Sequence, residues 1–141
     1  MVTGGPIGSD SFVAEFVKEQ VMKKSEVIPL LLSFENIQNQ FLFLSQGLCP
    51  NFVHLARLID CSPGTAAGIE LAKWDASLKS ILSQLVSQPL GAETLKLASL
   101  PKRKGGLGLT FTEDFAAPAF VAGKLLAAQE ISNMRPAAVE L

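Results

Sequence analysis

One histidine, two cysteines and no tyrosine among 141 residues leave this chain short of the side chains that most often carry acid–base, nucleophilic and metal chemistry. Cys49 and Cys61 form no Cys-x-x-Cys pair, and with His54 alone they cannot make the Cys/His clusters that hold zinc. Both read as reduced, buried thiols, with a disulfide or metal role as the weaker alternative. Charge of one sign is also missing. Twelve Lys and Arg against thirteen Asp and Glu give a formal net charge of −1, so no global field draws nucleic acid, and any such binding must be local. No uninterrupted apolar run reaches the roughly 18 residues of a membrane span, and the Gly-rich start, uncharged until Asp10, does not resemble a signal peptide. A soluble, intracellular protein without a membrane segment is expected. There is no internal repeat, low-complexity tract or dividing linker, so residues 1–141 are expected to form a single helical domain.

What is present is apolar. The chain is 48% hydrophobic and 18% charged, far from the disordered class, and its size suits one core. A mean hydropathy of +0.33 is high for a small free-standing domain, which implies apolar surface turned toward a partner or a neighbouring domain.

The pattern along the chain is helical, and the fold class expected is mostly α, a compact bundle of about five or six helices. Gly4-Gly5-Pro6-Ile7-Gly8 must be a turn or extended segment, because proline fixes φ and glycine favours turns. Ser9, Asp10 or Ser11 then caps a helix carrying Phe12, Val13, Phe16, Val17 and Val21 at helical spacing, with a break or kink expected at Ile28 before Pro29. Asn36 caps a second helix through Ile37, Phe41, Leu42, Leu44 and Leu48, with Gly47 supplying a left-handed C-terminal turn. A third, with Pro50 in its first turn, is expected to be central and nearly fully buried from Phe52 to Ile59, leaving a narrow polar stripe at His54 and Arg57. Ser62 or Thr65 caps the longest helix, which runs to about Ser87 with Trp74 in its apolar face and Asp75 toward a polar edge. A short helix at 92–100 stops at Pro101. The segment 101–111 is a Gly-rich basic loop with room for a short strand at 107–111. A last helix follows at 112–132, its start delayed by Pro118, and the tail 133–141 is expected to fray.

The search for a reaction centre returns little. Asp10, Asp60, Asp75 and Asp114 are separated in sequence, each with a structural reason at or on a helix, so no metal site and no cofactor is expected. His54 is the one neutral-pH base, and Cys49, five residues away across Pro50, is poorly placed to pair with it; a core or rim histidine is the plainer reading. Gly105-Gly106-x-Gly108 lacks the strand and the Lys-Ser or Lys-Thr of a phosphate-binding loop. The basic run Lys102-Arg103-Lys104 beside these glycines is the best binding candidate, because amides and cations could reach one phosphate together; a solvated basic turn explains it equally well.

Three segments, in this order and spacing, resemble the reverse transcriptases of non-LTR retrotransposons over about residues 5–128. Gly5-Pro6-Ile7-Gly8-Ser9-Asp10-x-Phe12-Val13 is similar to the stretch after the catalytic palm, where such enzymes make the primer-grip turn and enter the thumb. Cys49-Pro50-x-x-x-His54-x-x-Arg57 resembles a thumb helix, and Leu100-Pro101-x-Arg103-x-Gly105-Gly106-Leu107-Gly108-Leu109 resembles a signature near the family's C-terminal end. The paired-aspartate motif of the palm is absent. The resemblance implies a non-catalytic thumb and connection region, no enzyme by itself, with a thumb-like bundle over 10–100. Gly5, Pro6, Ile7 and Gly8 would form the primer-grip-like turn, and Arg57 and Arg103 would contact the phosphates of an RNA–DNA or DNA duplex. Lys102 and Lys104 lie beside Arg103 without being fixed by the motif. In this reading the exposed apolar surface meets the missing palm domain; the alternative is a stand-alone helical protein-interaction domain that ignores nucleic acid, its apolar surface docking a partner chain.

Overall fold

The structure is a computed structural model that describes residues 4–134. It is the expected multi-helix bundle, with seven α-helices among the described residues: α1 (Asp10–Ser25), α2 (Ile28–Leu32), α3 (Ile37–Leu42), α4 (Val53–Leu58), α5 (Ala66–Leu85), α6 (Ala92–Ser99) and α7 (Thr112–Met134). The starts follow side-chain chemistry. Ser9 accepts from the Phe12 amide, Asn36 from the Gln38 amide and Thr65 from the Gly68 amide, each satisfying a donor that the first helical turn leaves open.

α5 is the axis of the core. Leu71, Trp74, Leu78, Ile81 and Leu82 are buried along one stripe, which α1 and α3 cover and on which α7 also packs. Val17 of α1, Leu31 of α2, and Phe52, Leu55 and Ala56 in and before α4 complete one cluster. Each fully buried side chain of this size contributes about 1.5–3 kcal/mol. Phe52 meets Trp74 edge to face, with ring centroids 5.4 Å apart and planes at 81°, an arrangement the ring quadrupoles favour. The Trp74 indole N–H is buried without a hydrogen-bond acceptor.

α4 packs against α7, and the two backbones meet closely at Gly123. A Cβ there would run into the Arg57 carbonyl oxygen, so only glycine lets the backbones meet.

Several expectations need correction. Pro29 opens α2 at its first turn and does not merely break α1, because the missing N–H costs nothing at a helix start. Gly47 does not end its helix in a left-handed turn. Residues Phe43–Leu48 continue α3 as a π-helix, closed by the Cys49 amide on the Leu44 carbonyl at 2.9 Å. Pro50 lies in a turn before α4, which is shorter than expected: Phe52, Leu55, Ala56 and Ile59 are buried and the His54 and Arg57 stripe is exposed as expected, but Leu58 is exposed beside it. Residues 107–111 form no strand. Pro118 sits inside α7 without delaying its start at Thr112, and Asn133 and Met134 are helical. The rest of the expected frayed tail, 135–141, and residues 1–3 of the N-terminal turn lie outside the described residues.

Candidate nucleic-acid and docking surfaces

The Gly-Pro turn packs onto the bundle. Gly5 and Pro6 are buried, with Gly5 against the Leu58 side chain, while Ile7 and Gly8 face outward. Pro6, Ile7 and Gly8 line a cleft of about 620 Å³ together with Ala66 and Ala67 at the start of α5, Asp60 and Lys124. Asp60 takes hydrogen bonds from the Ser62 hydroxyl at 2.5 Å and the Ser62 amide at 2.9 Å, and these hold its carboxyl below the ordinary carboxylate value. Arg57 lies exposed in the last turn of α4, where its charge suits the negative end of the helix.

The basic run is a structured turn. Lys102–Lys104 form one turn of 3-10 helix, closed by Gly105 at φ 83°, a conformation that favours glycine. The chain then folds back on α6: the amides of Leu107 and Leu109 donate to the Ala98 carbonyl and that of Gly108 to Leu100. Gly106 passes so close to the Leu100 carbonyl that a side chain cannot fit. The glycines are therefore required by the turn itself. The amides of residues 104–109 that would cradle a phosphate are largely spent on backbone carbonyls, which corrects the expectation that amides and cations act together there. What remains for a ligand is the side chains: Lys102, Arg103 and Lys104 are exposed, and among the described residues none forms an ion pair.

These two candidate regions are not brought together. The Gly-Pro turn shares its cleft with Ala67 at the start of α5, and Lys102 shares a groove with Leu82 and Leu85 at its end. At 1.5 Å of rise per residue, the helix between Ala67 and Leu82 separates them by about 22 Å.

The residues of possible chemistry are dispersed. Burial pushes the Cys49 thiol up to about 11 and the Cys61 thiol up to about 12, so neither is a ready thiolate. Cys49 is buried and His54 is exposed, on the rim of a cleft with Lys24 and Asn51. Among the described residues no group of three His, Cys, Asp or Glu could hold a metal ion. Among the described residues no helix is long and apolar enough to cross a membrane.

Asp75 departs most from its expected place at a polar edge. It is buried at 2% exposure and caps α7 from the side of α5, accepting from the Thr112 amide at 2.9 Å, the Thr112 hydroxyl at 2.7 Å and the Glu113 amide at 3.0 Å. Burial raises its pKa, opposed by these three hydrogen bonds. The helix dipole of α7 favours the same carboxylate. A Thr at a helix start is a familiar cap signal; that its partner is a carboxylate 37 residues earlier could not be read from spacing.

The apolar surface that the mean hydropathy implied lies where no residue pattern located it. Ile37, Phe41 and Leu42 of α3 face Leu85, Val86 and Leu107 across a groove of about 560 Å³. A second cleft of about 420 Å³, lined by Phe34 and Phe43, shares Asn39 and Leu42 with it. Beyond its first turns α7 is apolar and exposed as well, at Val121, Leu125, Leu126 and Ile131.

No family model matches this chain, and it has no match among curated proteins or solved structures.

Proposed function

We propose that the chain is a non-catalytic segment of a reverse-transcriptase-like protein, contacting a template–primer duplex through phosphates in its parent context. The observation that carries this reading is the basic turn: three exposed cations on a backbone fixed by its own hydrogen bonds, none neutralised by a carboxylate among the described residues. Such cations position a duplex without reading its bases. The Gly5–Gly8 turn, about 22 Å away along α5, and Arg57 on α4 serve further contacts. The resemblance of the N-terminal and C-terminal segments supports the same role.

Three phosphate contacts give weak, salt-sensitive binding. Fluorescence anisotropy with an RNA–DNA duplex should show affinity falling roughly 40-fold between about 50 and 200 mM salt. Absence of binding even at low salt would reject autonomous nucleic-acid contact.

The exposed apolar side chains of α7 favour a second reading, a helical protein-interaction domain. Light scattering that shows a stable oligomer, together with indifference to the duplex, would support it over the first.

A further inference from the structure

We propose that the groove between α3 and the end of α5 binds an amphipathic helix that is acidic along one edge. The groove is open and apolar, and four of its large side chains are conspicuously exposed: Ile37 at 56%, Leu42 at 58%, Val86 at 46% and Leu107 at 41%. Its extension past Leu42 to the edge-to-face pair Phe34 and Phe43 makes one continuous surface along α3 and the π-helix that follows. A six-residue π-helix is rare, and π-helical turns recur where a helix is shaped for a function.

Charge identifies the occupant. Among the described residues Lys102 is the one charged residue lining either cleft, and Arg103 and Lys104 follow it on the same exposed turn. An apolar floor bordered by Lys102, with the next two cations on the same turn and Gln38 and Asn39 as further polar groups, complements an apolar helical stripe flanked by Glu or Asp. Strand addition is not available, because no β-strand among the described residues offers an edge. The mode that suits an open apolar groove of this kind is a helix laid in it, anchored by residues spaced i, i+3, i+4 and i+7. This inference does not depend on duplex binding, and its test contains no nucleic acid.

The probe is a fluorescently labelled, helix-forming peptide with Leu at those anchor positions and Glu on one flank, titrated with the full chain. Two comparison peptides are a scramble of equal composition and an analogue with Lys in place of Glu. Saturable binding of the probe is expected, at least about tenfold tighter than either comparison. Leu42→Asp and Val86→Asp should each weaken it by about tenfold or more, and Lys102→Glu by roughly threefold or more. All three positions are exposed at the groove, so an unchanged circular dichroism spectrum and melting temperature certify the fold. Met22→Asp, at an exposed apolar site on α1 outside both clefts, should leave the affinity unchanged. The proposal is overturned if the probe does not bind, if the scramble or the Lys analogue binds as tightly, if Leu42→Asp has no effect, or if Met22→Asp weakens binding as much as Leu42→Asp.

Discussion

α5 and α7 are the two longest helices, of 20 and 23 residues, yet eight residues of α5 are buried and only two of α7, Thr112 and Ala116. Their sequences are comparably apolar. What separates them is arrangement: α5 gathers its large apolar residues on one stripe with Lys73, Ser77 and Ser80 opposite, whereas α7 is apolar on every side and finds a neighbour only along part of its length. Apolar content makes a helix stick to something; periodicity decides whether that something lies in the same chain. α7 is held by its packing on α4 and by a polar device at its start, the Asp75 carboxylate.

The largest expected effect follows from that device. Asp75→Ala leaves two amides and a hydroxyl at the start of α7 without their acceptor and empties a buried site, and should cost about 3–4 kcal/mol in urea denaturation. Asp75→Asn keeps the shape and one acceptor oxygen, and should cost about half as much. The exposed Asp114→Ala, in the same helical turn, should stay within about 0.5 kcal/mol. A loss at Asp114 equal to that at Asp75 would break the contrast.

Truncation sharpens the comparison between the helices themselves. Leu78→Ala in α5 removes a side chain with 1% exposure and should cost about 2–5 kcal/mol. Leu125→Ala, at 67% exposure in α7, should change stability by no more than about 0.5 kcal/mol. The same denaturation series reads both.

A smaller effect is expected at the start of α5. Thr65→Ala removes the acceptor of the Gly68 amide and should cost about 1 kcal/mol.

The pH dependence is smaller again and has a definite sign. Because burial raises the Asp75 pKa above 3.8, the native state holds this proton more tightly than the unfolded chain. Its contribution to stability is complete below the ordinary carboxylate pKa and declines as pH rises through the raised one. Asp60, held lower, works the other way: its contribution is present above the ordinary value and lost as pH falls through the lowered one. Asp75→Asn lacks the first titration, so the stability gap between wild type and variant should be wider at pH 3.5 than at pH 7. A gap that widens toward neutral pH would contradict the assignment.

Much of the fold was legible because it rests on local signals. The caps at Ser9, Asn36 and Thr65, the stripe through Trp74 and the stop at Pro101 each depend on neighbours within a turn or two. Gly47 was misread because a glycine near a helix end usually adopts a left-handed turn, and nothing in the local pattern announces a π-helix. Pro118 was misread because a proline is costly inside a helix; Asp75, which anchors the start of α7, is a tertiary partner invisible to spacing. Of the candidate site, the exposure of Lys102–Lys104 was readable from charge and glycine. The groove was not, since Ile37, Phe41 and Leu42 look like ordinary core residues until the fold leaves them uncovered.

The central functional claim is that contact with a duplex is made by the cations of the basic turn. The most direct measurement is anisotropy of a labelled RNA–DNA duplex with wild type and with the triple variant Lys102→Glu, Arg103→Glu, Lys104→Glu, all three side chains being exposed. The account predicts salt-sensitive binding by wild type and its loss in a variant that melts at the same temperature. Equal binding by the two, or none by wild type at low salt, would contradict it.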